Sequence, residues 1–250
     1  MFKIKKTFLI ICMLLCAAVL YSQSAQNKDV LYYNNNGDEA AGLIPLSMKN
    51  GVWMPTVLGG QYEPDNIVVD RKNGFISYSN GTEECGYGGG DYQIALFTSK
   101  AGHFIARSVR CNWGSSNIAF WKVSDKKWTD ATSKVLPSLN VKEFFADCYK
   151  NADWNIVEKA AMTTFAEYEG EGQNKSLESY ASLVYELPRY GTDIKVKASL
   201  NFYPADDGEE KLSKEAKKAL ANIRKKSKTI TLSWDTDKGK LYRKKEGKKQ

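Results

Sequence analysis

Short apolar runs broken by Asn-Gly turns constrain this chain more than any other feature of its sequence. Leu43 to Met48 and Val52 to Leu58 flank Asn50-Gly51, and Asn66 to Asp70 and Gly74 to Ser79 flank Lys72-Asn73-Gly74. Asn-Gly supplies the left-handed backbone that a two-residue hairpin turn requires, so each pair of runs is predicted to fold back on itself. Tyr92 to Thr98 then alternates Tyr92, Ile94 and Leu96 against Gln93, Ala95 and Phe97. That period of two is the signature of a strand with at least one buried face. His103 to Val109 returns after the turn at Ala101-Gly102, and Ile118 to Val123 follows, with Trp128 beyond a charged turn. Strands this close in sequence favour an antiparallel meander or sandwich.

The period changes in the middle of the chain. Asn140 and Glu143 make a capping box for a helix that starts at Val141, with Phe144, Phe145 and Cys148 on its apolar side. Asp153 is a candidate cap for a longer helix in which Trp154, Val157, Ala161 and Phe165 recur at spacings of three and four. Strands resume at Tyr180 to Leu187 and Asp193 to Phe202, where Ile194, Val196, Ala198 and Leu200 alternate with Lys195, Lys197 and Ser199. A third helix is expected from Ser213 to Lys225 on the line Ala216, Ala219, Leu220, Ile223, followed by a hairpin of Thr229 to Trp234 and Lys240 to Arg243. The predicted class is α+β and β-dominated: antiparallel sheets or a sandwich with two or three packed helices.

At the N-terminus, Lys3, Lys5 and Lys6 precede an apolar stretch from Phe8 to Leu20 and small residues at Ser22, Ser24 and Ala25. A basic start, a short apolar core and small residues at cleavage spacing make residues 1–25 a candidate secretory signal. The stretch is short for a membrane span, and no later segment has that length, so no transmembrane segment is expected after signal removal. The predicted organisation is a signal over 1–25, one β-rich domain over 26–250, and a basic tail over 244–250. A split near residue 170, into 26–169 and 177–243, is the alternative. The expected location is the periplasm or the medium.

Cys12 and Cys16 fall within that signal, leaving Cys85, Cys111 and Cys148. Outside the cytoplasm a disulfide is expected. Cys85 and Cys111 are the predicted pair, because the two strands between them can fold back and bring their ends together. Such a loop stabilises by about 3–4 kcal/mol in the chain-entropy estimate. Cys148 is then free, on an apolar helix face.

The chemistry-bearing residues are sparse. His103 is the lone histidine, which removes multi-histidine metal sites and leaves Cys148–His103 as the one thiol arrangement to consider. Glu83 and Glu84, beside Asp91 in a glycine-rich loop, are the acids that a glycan hydrolase would need in a facing pair. Gly86-Tyr87-Gly88-Gly89-Gly90 lacks the Lys-Ser/Thr ending of a phosphate loop. Asp235-Thr236-Asp237-Lys238-Gly239 has the start of a calcium loop without its closing glutamate, and a β-turn accounts for it better. No catalytic residue, metal or cofactor is assigned.

Charge is lopsided. The chain carries 36 Lys and Arg against 29 Asp and Glu, a net +7, and from Asp207 onward 15 basic residues face 7 acidic ones. A basic C-terminal region can contact an anionic surface, but it contains no element that reads nucleic acid. Tyr62, Tyr87 and Trp113 stand in predicted loops, where aromatic rings on a β-scaffold stack sugars or engage a partner. With Glu83 and Glu84 they form the weak candidate set for ligand binding. The expected function is a secreted or periplasmic non-catalytic binding or accessory protein for a glycan or a protein. An exported carboxylate hydrolase acting on glycan and a structural envelope protein are the alternatives.

Overall fold

The computed structural model describes residues 28–37, 41–56, 64–79, 85, 89–112, 116–124, 127–165, 176–202 and 208–244. The chain is β-dominated α+β with antiparallel sheets. Helix α1 (Val30–Asn35) precedes a hairpin of β1 (Leu46–Lys49) and β2 (Val52–Pro55). A meander of six strands follows: β3 (Asp65–Asp70), β4 (Phe75–Ser79), β5 (Gly90–Ser99), β6 (Gly102–Cys111), β7 (Ser116–Ser124) and β8 (Lys127–Asp130). They lie in one sheet in chain order, every neighbouring pair antiparallel.

Three helices come next: α2 (Thr132–Val135), α3 (Val141–Phe144) and α4 (Ala152–Phe165), then a 3₁₀ turn at Leu177–Tyr180. The second sheet has the order β12-β11-β10-β9, built from β9 (Ala181–Glu186), β10 (Ile194–Leu200), β11 (Thr229–Asp235) and β12 (Lys240–Arg243). Helix α5 (Lys214–Lys226) is inserted between β10 and β11.

Alternation in the central strands divides the interior into two cores. On one face of the six-stranded sheet, Ala95 opposes Ala106 and Phe97 opposes Phe104, so small pairs sit beside large ones. Trp234 of β11 fits against that relief, its ring 5.0 Å from Phe97 and 5.3 Å from Phe104. This core continues through Ile194, Val196 and Leu232 of the second sheet to Trp154 and Val157 of α4 and to Leu220 and Ile223 of α5. The opposite face carries Ile76, Tyr78, Tyr92, Ile94, Ile105 and Val109, and is covered by Val30 and Tyr33 of α1 and by Leu46 of β1.

Polar contacts register the second sheet on the first. Ser108 Oγ donates to the Tyr185 carbonyl at 2.7 Å, and the Leu187 amide donates to Gln93 Oε1 at 2.8 Å. Arg189 Nε meets Asp70 Oδ2 at 2.9 Å. These contacts use the polar residues that interrupt the apolar face, so the groups buried there are hydrogen-bonded across the layers.

Helix ends follow local chemistry. Asn140 and Glu143 close the predicted capping box on α3. Helix α4 begins one residue before Asp153, whose amide is held by Asn151 Oδ1 at 3.3 Å. Asn151 therefore does the work expected of Asp153. Ser213 caps α5, accepting from the Ala216 amide at 3.2 Å.

Candidate interaction surfaces

The β1–β2 hairpin forms a two-stranded sheet apart from the other two. Asn50 and Gly51 take φ of 53° and 79°, the consecutive left-handed pair that a tight hairpin turn demands. Its base is clamped by α1. Asn35 Nδ2 donates to the Leu46 carbonyl at 2.7 Å, while Asn35 Oδ1 accepts from the Leu46 amide at 2.8 Å. Asn34 Nδ2 donates to the Ile44 carbonyl at 2.7 Å. One side chain thus imitates a neighbouring strand and fixes where the hairpin leaves the core.

Beyond Leu46 the hairpin emerges from the core. Met48 pairs with Trp53, Ser47 with Met54 and Lys49 with Val52, which puts apolar side chains on both of its faces. Met48 is 57% exposed, Val52 61% and Met54 36%. Among the described residues the other large exposed apolar side chains are Met162 on α4, Tyr190 in the β9–β10 connection and Tyr242 on β12. The hairpin is therefore where exposed apolar surface is gathered. Two methionines make that surface adaptable, because an unbranched thioether repacks against varied shapes.

The disulfide is formed as expected between Cys85 and Cys111, with Cα atoms 5.2 Å apart. Cys111 lies opposite Gly90 across the β5–β6 ladder. A Cβ on Gly90 would stand 2.6 Å from Cys85 Sγ and 2.7 Å from the Arg110 carbonyl, so the bridge requires glycine there. The Tyr92 hydroxyl lies 3.5 Å from Cys85 Sγ, and the Tyr92 ring stacks on Tyr78 at 5.1 Å. Tyr62, Glu83, Glu84, Tyr87 and Trp113 lie outside the described residues. They flank the bridge or the hairpin in sequence, and nothing further is assigned to them.

The thiol and imidazole considered from sequence do not meet. Cys148 is buried in the core beneath the helices, where its Sγ lies 3.9 Å from the Ile223 carbonyl and desolvation pushes its pKa up. His103 projects from the opposite face of the six-stranded sheet, its ring 5.9 Å from Tyr33 and its Nδ1 3.3 Å from Thr98 Oγ1. Among the described residues no three His, Cys, Asp or Glu side chains gather at metal-holding distance. Asp235 caps its own turn, its Oδ1 accepting from the amides of Asp237 and Lys238, each at 2.9 Å.

No family model and no curated protein matches this chain. Among solved structures it is similar to a domain of an uncharacterized protein from Porphyromonas gingivalis W83. The two share 12% identity and a TM-score of 0.47 over 76% of this chain and 84% of that one. A likeness at this level carries no functional information.

The basic C-terminal region is more neutralised than its sequence implies. Arg224 pairs with Glu209, Arg243 with Glu143, Lys226 with Asp153, Lys228 with Asp147, and Lys244 with Asp193. Lys244 is thus tied to the second sheet, and its amide continues the ladder to the Thr231 carbonyl at 2.9 Å. On α5 four cations remain outside these pairs, Lys214, Lys217, Lys218 and Lys225, all exposed, and of these Lys217 donates to the Glu210 carbonyl.

Sequence reasoning passed over two features. Arg107 is 9% exposed in the middle of an apolar face, with Nη1 3.3 Å from the Gly42 carbonyl and its guanidinium 5.8 Å from the Trp121 ring. Its signal was legible, since Ile105, Arg107 and Val109 share one side of a strand. The bare tip of the hairpin had no such signal, because an apolar run reads the same whether or not something covers it.

Proposed function

We propose that this protein is an exported, disulfide-bonded binding or accessory protein that engages a partner protein through the tip of its β1–β2 hairpin. The single observation that carries the reading is the gathering of Met48, Val52 and Met54 at the end of a clamped hairpin. Exposed apolar surface costs solubility, and a chain that concentrates it on one rigid projection gains when a partner removes it from water. Two further observations agree with an extracytoplasmic setting. Residues 1–25 have the order of a secretory signal, and the Cys85–Cys111 bridge belongs to an oxidising compartment.

A photoreactive amino acid at position 52, introduced in the native host, tests the binding surface. The expected result is a discrete light-dependent adduct in the extracytoplasmic fraction, lost when Met48→Asp and Met54→Asp are added. The same probe at the distant position 195 should give none. Adducts of equal yield at both positions, or none at position 52 in a correctly processed chain, would overturn the proposal. The intact mass of the exported chain tests the location separately, since it must lack residues 1–24 or 1–25.

A further inference from the structure

Helix α5 carries a second surface, on the far side of the six-stranded sheet from the hairpin. Its buried line is Ala216, Ala219, Leu220 and Ile223. At 3.6 residues per turn, Lys214, Lys218 and Lys225 fall within about 40° of one another, diametrically opposite that line. With Ala221 they make the outer crest of the helix, a ridge about 16 Å long. All three lysines are exposed, and among the described residues none has an ion pair.

The flanks of the helix differ from the crest. Arg224 is paired with Glu209 and Lys226 with Asp153, while Lys217 donates to the Glu210 carbonyl. Positive charge without an ion pair is therefore concentrated on the crest, with Lys217 on one flank beside it.

The N-terminal end of the ridge works against the helix that bears it. Lys214 is the first helical residue, where the positive end of the helix dipole opposes a cation. Lys214 and Lys218 are like charges at a spacing of four, which is unfavourable as well. A local choice that weakens its own element without a compensating contact points to a use outside the fold.

We infer that the crest of α5 is a docking surface for a linear acidic polysaccharide. Charge complementarity selects an anionic partner, and a row of lysines running along the helix axis selects a linear one. A bilayer surface fits poorly: amphipathic helices bind membranes by inserting an apolar face, and that of α5 is already buried in the core. The choice of polysaccharide over nucleic acid rests on the export reading above. The use of the ridge itself does not.

The test is binding of the purified, disulfide-intact mature protein to alginate, measured by titration calorimetry across a range of salt. The parent should bind at low salt and weaken steeply as salt rises. Lys214→Gln, Lys218→Gln and Lys225→Gln combined should reduce affinity by tenfold or more. They should also flatten the log–log salt slope by about 2, at roughly 0.7 per charge neutralised along a single-stranded polyanion. The triple arginine variant should bind like the parent. Lys214→Gln alone should melt no lower than the parent, since that lysine opposes the helix dipole, whereas Lys225 in the last turn favours it.

Equal binding by the glutamine variant and the parent would overturn the assignment to the ridge. Stronger binding to duplex DNA or to anionic phospholipid vesicles, at matched charge and salt, would overturn the partner class. Failure here leaves the hairpin and export proposals intact, because the crosslink and the processed mass report on those.

Discussion

The indole of Trp234 donates its Nε1–H to the carbonyl of Thr98 across 2.9 Å, pinning β11 of the second sheet to β5 of the first. The same ring fills the relief between Phe97 and Phe104. Trp234→Phe keeps most of that apolar area and loses the donor, so a cost of about 1–2 kcal/mol is expected. Trp234→Ala opens a cavity and should cost about 3–5 kcal/mol. Equilibrium urea unfolding measures both. A cost below about 1 kcal/mol for the alanine variant would show that the junction closes without this ring.

Removing the bridge should weaken the fold without redirecting it. Cys85→Ala with Cys111→Ala is expected to cost about 3 kcal/mol, because the denatured chain regains the freedom of a closed loop spanning 26 positions. Thiol titration of the processed chain should find one reactive cysteine when denatured without reductant. That thiol should be unreactive in the native state, where Cys148 is buried and its pKa raised by desolvation. Rapid alkylation of the native protein at neutral pH would contradict this burial.

Asn35 is expected to control the hairpin locally. Asn35→Ala removes both bonds to Leu46, at a cost of about 1–3 kcal/mol for the stranded backbone groups. Hydrogen exchange should show the Leu46 amide opening faster while the β5–β6 ladder stays protected. Asn35→Asp keeps the acceptor and loses the donor, so it should protect the Leu46 amide better than alanine does.

Acid should weaken the fold through three paired carboxyls, one between the sheets, one within the second sheet and one between a helix and β12. Hydrogen bonds from Arg189 and Asn73 hold the Asp70 carboxyl below its usual range. Lys244 and Ser233 do the same for Asp193, and Arg243 for Glu143. A carboxyl with a depressed folded pKa stabilises the fold fully above its unfolded pKa, near 4, and loses that contribution as pH falls through the folded value. Melting temperature should therefore hold steady from neutral pH down to about 4 and fall below it. Added salt should shrink the effect, since these pairs lie at the surface. Asp193→Asn should flatten the acid limb, and an unchanged limb would show that its pairing with Lys244 contributes nothing measurable.

What could be read in the sequence was what short-range chemistry decides. The Asn50-Gly51 hairpin, the Asn140–Glu143 capping box, the strand alternation around Ile94 and Val196, and the Cys85–Cys111 pairing all stand in the structure. Each depends on backbone preferences or on residues joined by a single fold-back. Helix α1 escaped because its six residues are too few to show a period. The candidate ligand residues Tyr62, Tyr87, Trp113, Glu83 and Glu84 are not among the described positions, so the surfaces proposed above rest on other residues.

Only the tertiary structure decided which charges and which apolar side chains remain available. Arg243 and Glu143 are 100 positions apart in the chain and paired in space, and Arg189 and Asp70 are 119 apart. A lysine count cannot see such pairings, so it could not separate Lys226, held by Asp153, from Lys225 on the open crest. Likewise Leu46 and Met48 are equivalent in pattern, on the same side of one strand, yet α1 and the sheet cover the first and leave the second bare. The chain sets its own turns and caps through neighbours a few residues away. Burial and charge pairing are set by whichever distant segment arrives to pack.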